Sequence, residues 1–522
     1  MLFPVSLVGK HGVVYDIRPH ELPKEAWSAG ANMRFRNGFA EKFTGESQIW
    51  GAPSVAPYNI ASAGTPTATF WMYMGLGKVF AYNFSVHTDI TKTATTYLAT
   101  ANENWTVTNF QGIPILNNSV DDPQVWSPVS ISQLLVDLPN WPASTSCRSM
   151  RAFRQYLIAL DVTKSSTQFP QMVKWSHPAA VGALPSSWDE TDATKDAGEY
   201  ELADSLGFIH DGLPLRDMFV IYKEDSVWGM QYVGGTKVMR FFKIFNDAGI
   251  LAKRCVTEFI NGQHFVVSQE DIFVHNGQTK RSIAEGRVLR WFLAQIDPDK
   301  YQRVFVQQVP GSNEVWVFAP LGDGQDFCNT ALVWNWLDGT ISFRDLDDIS
   351  GAGVGQVTGV DATWSDPSAW DTDVSGWDLR RSANAARRVM MCRPEVTAKI
   401  LLADETAAFD AISMTSFIER SGIPVAWKAG EPPDLSSHKL LTGLWPRIEG
   451  TVDGVVKVYV GAQESPEAAI SWQTPVNFTI GTSNFIPCRA NGRLLAIKFE
   501  SVTDIDWRLH GYELDVKKAG GF

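Results

Sequence analysis

The chain of 522 residues carries almost no long 3.6-residue hydrophobic periodicity, and that excludes a helical bundle and a doubly wound α/β sheet. In its place stand short runs of Val, Ile, Phe, Tyr and Trp that stop at Gly, Asn or Asp. Residues 70–84, 154–162, 218–232, 264–277 and 304–319 each read as strand, turn and a second strand ending near an aromatic residue. Residues 331–344 form the plainest hairpin, with Asp338-Gly339 at the turn. Such units recur every ~40–70 residues, a spacing wide enough for propeller blades with insertions. No Trp-Asp signature repeats, so the same rhythm also suits a set of β-sandwiches.

The fold class expected is all-β: an irregular β-propeller with an additional antiparallel β-sandwich domain and few short helices. One amphipathic helix is predicted at about 282–294, with Ile283, Val288, Leu289, Trp291 and Phe292 on one side. Four regions follow. Residues 1–60 read as an extended arm with the first strands, and 61–350 as a propeller-like core with insertions. Residues 351–400 read as an insertion rich in Gly, Asp and Trp, then in Arg. From 401 to 522 the strands are more regular, separated by turns such as Asp453-Gly454 and Asn491-Gly492, which suits a sandwich of about 120 residues.

Composition narrows the function. The net charge of −12 argues against a protein that grips nucleic acid by neutralising phosphates. It suits a wall past which DNA must slide, because acidic groups repel the backbone. Twenty Trp and 29 Phe fit half-buried pleated surfaces and subunit contacts. No apolar run reaches the ~20 residues that span a bilayer. The first residues lack the basic start of a signal peptide, so synthesis and folding in the cytosol are expected. The five cysteines are widely spaced without a C-x-x-C pair, which points to buried free thiols.

Chemistry-bearing motifs are few. There is no H-E-x-x-H, G-x-S-x-G or phosphate-binding Walker loop. His264 and His275 are the closest His pair within one hairpin unit, at a spacing that matches no metal site. Asp345, Asp347 and Asp348 resemble half of a calcium loop but lack its closing Glu, and read as a solvated turn. No catalytic residue, cofactor or metal ligand is assigned. Residues 189–204 hold seven acids against one Lys and read as a solvated loop.

The segment Tyr15–Lys42 resembles the opening of the tail nozzle proteins, also called tail tubular protein B, of short-tailed bacteriophages. The likeness lies in Asp16, Pro19, Leu22, Pro23, Ala26-Trp27-Ser28, Asn32, Arg34-Phe35-Arg36, Gly38 and Glu41-Lys42. Residues 71–91, 104–126, 173–189, 211–291 and 492–516 are similar to the same family, in the order expected. The resemblance implies a decorated β-propeller that is a virion structural protein and not an enzyme. It implies a homo-oligomer of six copies forming a tube below the portal and adaptor (the head-to-tail connector), assembled in the host cytoplasm. Genomic DNA would pass through the lumen without sequence-specific binding, and the outer surface would meet tail fibres or spikes.

On that reading the acidic residues Asp189, Glu190, Asp192, Asp196 and Glu199, with Asp345, Asp347 and Asp348, are candidates for lumen or gate surfaces. Trp27, Arg34, Arg36, Trp364, Trp370 and Trp377 are candidates for interfaces. Arg34 and Arg36 with Glu41 read as inter-strand or inter-subunit ion pairs, or as solvated charges of little energetic weight. The competing reading is a carbohydrate-binding or glycoside-hydrolase propeller acting on host surface polysaccharide, with Trp364, Trp370 and Trp377 as a stacking platform.

Overall fold

The computed structural model describes residues 1–64, 69–127, 130–260, 262–357, 387–395, 397–428 and 431–520. Trp364, Trp370 and Trp377, and with them most of the expected insertion, lie outside the described residues.

Seven four-stranded antiparallel sheets follow one another along the chain. Their first strands are Asn59–Gly64, Thr106–Phe110, Thr145–Phe153, Ile209–Leu215, Val256–Ile260, Phe305–Val309 and Gly351–Gln356. Residues from all seven line one central cavity, so the sheets are the blades of a seven-bladed propeller and these are its inner strands. Each blade is a meander: in blade 6, Phe305–Val309 pairs with Glu314–Ala319, then Cys328–Asn335, then Thr340–Ile349. The expected hairpin at 331–344 joins the last two of these, with Gly339 at φ 68°.

The ring closes with strands from both ends of the propeller sequence. Blade 7 takes Gly351–Gln356, Arg387–Arg393 and Lys399–Ala403, and its outermost strand is Glu46–Gln48 from near the N-terminus. The region 351–400, expected as an insertion, therefore supplies three propeller strands. At the closing seam, Gly351, Gly353 and Gly355 lie against blade 1. A Cβ on Gly353 would run into the Ile60 carbonyl oxygen, and one on Gly355 would come within 2.6 Å of Trp71. Trp71 Nε1 donates to the Gln356 carbonyl at 2.7 Å, and Ser62 Oγ to that of Val354 at 3.0 Å.

The aromatic residues fill the spaces between blades. Trp71, Trp105, Trp126, Trp188 and Trp316 are fully buried, each in an apolar cluster shared by adjacent blades. Burying such side chains is worth about 1.5–3 kcal/mol apiece, which makes the inter-blade layers the main source of stability.

Two six-stranded sheets form the second body. One has the order Met33–Arg36, Phe39–Lys42, Trp507–Gly520, His438–Gly450, Ile486–Gly492, with Leu2–Ser6 also on Trp507–Gly520. The other has Ala29–Ala31, Ser416–Ile423, Leu494–Ser501, Val455–Gln463, Ser471–Trp472, with Val476–Thr479 also on Val455–Gln463. Trp27, Phe499 and Tyr512 meet between them. The N-terminal segment is thus no free arm: four of its strands complete this sandwich. One apolar core runs on from the sandwich into blades 4, 5 and 6.

One α-helix, α1 (Leu289–Gln295), is present among the described residues, shorter than the predicted span. Residues 283–288 are turns, with Gly286 at φ 66° interrupting the pattern.

Candidate functional site

Tyr15–Lys42 is the strap that joins the two bodies. The Asp16 carboxylate accepts the Arg290 and Trp291 amides at 2.9 and 3.0 Å, satisfying free N–H groups at the start of α1. Trp27 Nε1 donates to the Val8 carbonyl at 2.7 Å, and its ring is buried. Asn32, in the left-handed region at φ 58°, donates from Nδ2 to Asp345 and to the Thr415 carbonyl. Arg420 reaches back to the carbonyls of Pro19 and Leu22. The hairpin 33–42 turns on Asn37-Gly38, both at positive φ, as a two-residue mirror-image turn requires.

At the end of the strap lies a buried charge cluster. Arg34 Nε is 2.7 Å from Glu314 and its Nη2 is 2.9 Å from Asp404. Arg344 Nη2 is 2.7 Å from Glu46 and its Nη1 is 3.1 Å from Asp404. Phe43 and Trp316 lie against the two guanidinium groups. Burial opposes the charge on Arg34, but Asp404 and Glu314 outweigh it and keep the group firmly protonated. Burial pushes the Glu46 and Glu314 carboxyls up, against the pull of Arg344 and Arg34 respectively. Asp404, between both cations, is drawn down despite its burial.

Two of the interface candidates are therefore interior. Trp27 is 1% exposed and Arg34 5%, and both bind within the chain, because the strap they sit on is covered by the sandwich and blade 6. Arg36 pairs with Glu41 across the hairpin, and Arg508 lies 3.6 Å from the same carboxylate.

The acidic candidates separate into two groups. Lys174 Nζ holds Glu190 at 2.5 Å and Glu199 at 3.1 Å, with Lys164 also 2.5 Å from Glu199. Glu199 belongs to a strand, Gly198–Glu201, so the segment is only partly a loop. Asp189 and Asp192 accept from Thr191 and Thr194, hydrogen bonds that lower both carboxyls. Asp196 uses its backbone, accepting from Trp175 Nε1 and donating to His177 Nδ1.

Asp345, Asp347 and Asp348 lie at the last strand of blade 6, beside a break in its register, and not in a free turn. Asp345 binds Asn32, and Asp347 pairs with Arg393 of blade 7. Both are tied into seams, which removes them as freely swinging gate charges.

The His pair forms a closed hydrogen-bond chain. Gly277 N donates to His275 Nδ1, and Tyr222 Oη lies 2.7 Å from both His275 Nε2 and His264 Nδ1. His264 Nε2 lies 2.9 Å from the Pro214 carbonyl. One proton on each ring satisfies every link, so both rings are neutral. Burial lowers His264 to about 4, and burial with the neighbouring His264 lowers His275 to about 3.

The central channel is a cavity of about 490 Å³. Behind its lining residues Arg151 and Arg254, the buried Asp211 accepts Arg151 Nε and Nη2 at 2.8 and 2.6 Å, Ser149 Oγ at 2.7 Å, and the amides of Gly212 and Arg254. This carboxylate ties blades 3, 4 and 5 together around the channel. Sequence reasoning did not find it, because nothing in the spacing of residues 149, 151 and 211 marks a shared site.

No family model matches the sequence, and no curated protein does. Among solved structures, the chain is similar to the WD40 propeller domain of Doa1, with 9% identity, TM-score 0.39, and coverage of 70% of this chain and 99% of that one. It is likewise similar to the propeller domain of Cps50 (Swd1) from Myceliophteria thermophila, with 10% identity, TM-score 0.40, and coverage of 69% and 100%. PorZ of Porphyromonas gingivalis has 6% identity and TM-score 0.31 over 73% of this chain and 43% of its own. Nothing about function follows from likenesses this distant.

Proposed function

We propose that the chain is a virion structural protein, the tail nozzle of a short-tailed bacteriophage. Six copies form a tube below the portal and adaptor that retains genomic DNA and conducts it during ejection. The observation that carries this reading is the role of the nozzle-like segment 15–42. Among the residues that make the resemblance, Asp16, Asn32 and Arg34 pin sandwich to propeller, and Trp27 fills the space between the sandwich sheets. A strapped two-part body with one continuous core suits a wall element that must bear pressure without hinging. Net charge −12 suits a surface past which DNA slides. Asp189 and Asp192, whose carboxylates have no cation within ion-pair distance among the described residues, stay candidates for a surface that faces DNA.

The test is a phage in which the gene for this chain carries a nonsense codon, grown in a non-suppressing host. Heads that package DNA and then lose it, with retention restored by complementation, are expected. Filled, stable particles that merely fail to adsorb would overturn the reading and favour recognition of host polysaccharide.

A further inference from the structure

Arg254 is the anomaly in the propeller channel. It is a non-glycine residue at φ 72°, two residues before the inner strand of blade 5. Its amide is held by Asp211 and its carbonyl accepts from Val306 N, so the backbone is pinned from two blades in a conformation that costs energy. Its guanidinium lies over the Phe305 ring at 4.5 Å, and among the described residues no carboxylate comes within ion-pair distance of it. The nearby Asp211 is saturated by Arg151, Ser149 and two backbone amides.

A guanidinium that is half-buried against an aromatic ring and has no anion gives up part of its hydration without a counter-charge, and packing alone would be served better by an apolar residue. We infer that the propeller channel is a binding site for a small oxyanion, a phosphate or carboxylate group, held by the guanidinium of Arg254. The planar fork suits such groups, since two parallel N–H bonds can reach two oxygens. Phe305 lies against the guanidinium, and both residues line the channel. A cavity of about 490 Å³ falls in the range of small-molecule pockets, ~300–1,000 Å³. Asn109, whose Oδ1 is taken by the Gly112 amide, has its Nδ2 left to donate. Glu258 is the one carboxylate among the lining residues; it is exposed and accepts from Gly262 N. Its charge weakens an anion in the channel without reaching Arg254. This inference is independent of the nozzle reading.

Inorganic phosphate and succinate, titrated separately into the full-length chain by calorimetry, test the site and tell a phosphate from a carboxylate ligand. Saturable binding of either is expected, weakened about tenfold or more by Arg254→Gln, which removes the charge-assisted pair. Arg254→Lys keeps the charge but not the fork and should lose less. Glu258→Gln should tighten binding. In the absence of anions, Arg254→Gln should melt no lower than the parent chain, because an unpaired cation has been removed. Failure of both anions to bind the parent chain in the millimolar range would overturn the site, whatever the variants do. So would binding that Arg254→Gln leaves unchanged.

Discussion

Arg344 and Arg34 show how single residues hold this molecule together. Arg344 sits fully buried between Glu46 and Asp404, so Arg344→Met strips the buried Glu46 of its cation and leaves Asp404 with Arg34 alone. A loss of about 3–5 kcal/mol is expected on breaking one side of such a buried cluster. Urea unfolding measures it, and Arg344→Met combined with Glu46→Gln should recover part of the loss. The pair His264 and His275 makes a pH prediction. Their folded-state values, about 4 and about 3, lie below the usual 6.5, so the unfolded chain binds more protons between these limits. Stability should therefore fall as pH drops from about 6.5 towards 4, by roughly 3 kcal/mol for His264 alone. His264→Asn/His275→Asn should flatten that part of the urea-midpoint profile; an unchanged slope would contradict the neutral pair. The motif residues were legible as a group, but their roles were not. Arg34 stands opposite Glu41 in the hairpin, as the sequence suggested, yet its guanidinium turns to Glu314, 280 residues away, a partner no local pattern reveals.

Among the elements, the hairpins were readable because alternating apolar residues and turn chemistry act locally. The closing strand Glu46–Gln48 was not. Its residues carry no strand preference, and pairing with Lys399–Ala403 alone makes it a strand. The glycines at 351, 353 and 355 did leave a mark in the sequence, one that reads as a loop until the close approach to blade 1 is seen. Gly353→Ala tests that seam. A methyl group there meets backbone and not a flexible side-chain end, so about 1–3 kcal/mol of destabilisation is expected, from strain of the overpacking kind. Equal stability to the parent in thermal unfolding would mean that blade 7 can shift away from blade 1.

On the scale of the whole molecule, the chain begins and ends in the sandwich, and the propeller is inserted between. Separating 1–60 from 401–522 therefore cuts one domain in two, and a propeller expressed as 61–350 lacks its seventh blade. Such a fragment is expected to be insoluble or molten, while the full chain unfolds with sandwich and propeller closely coupled through their common core. The all-β class and the two kinds of body were readable from strand rhythm. Blade number and the strap were not, since both depend on contacts between residues hundreds of positions apart.

Electron cryomicroscopy of intact virions, with the tail averaged about its axis, tests the proposed nozzle role. A ring of six copies of this propeller and sandwich is expected around an open channel, directly below the adaptor. A tail without that ring, or single copies seated on a fibre or spike, would contradict it.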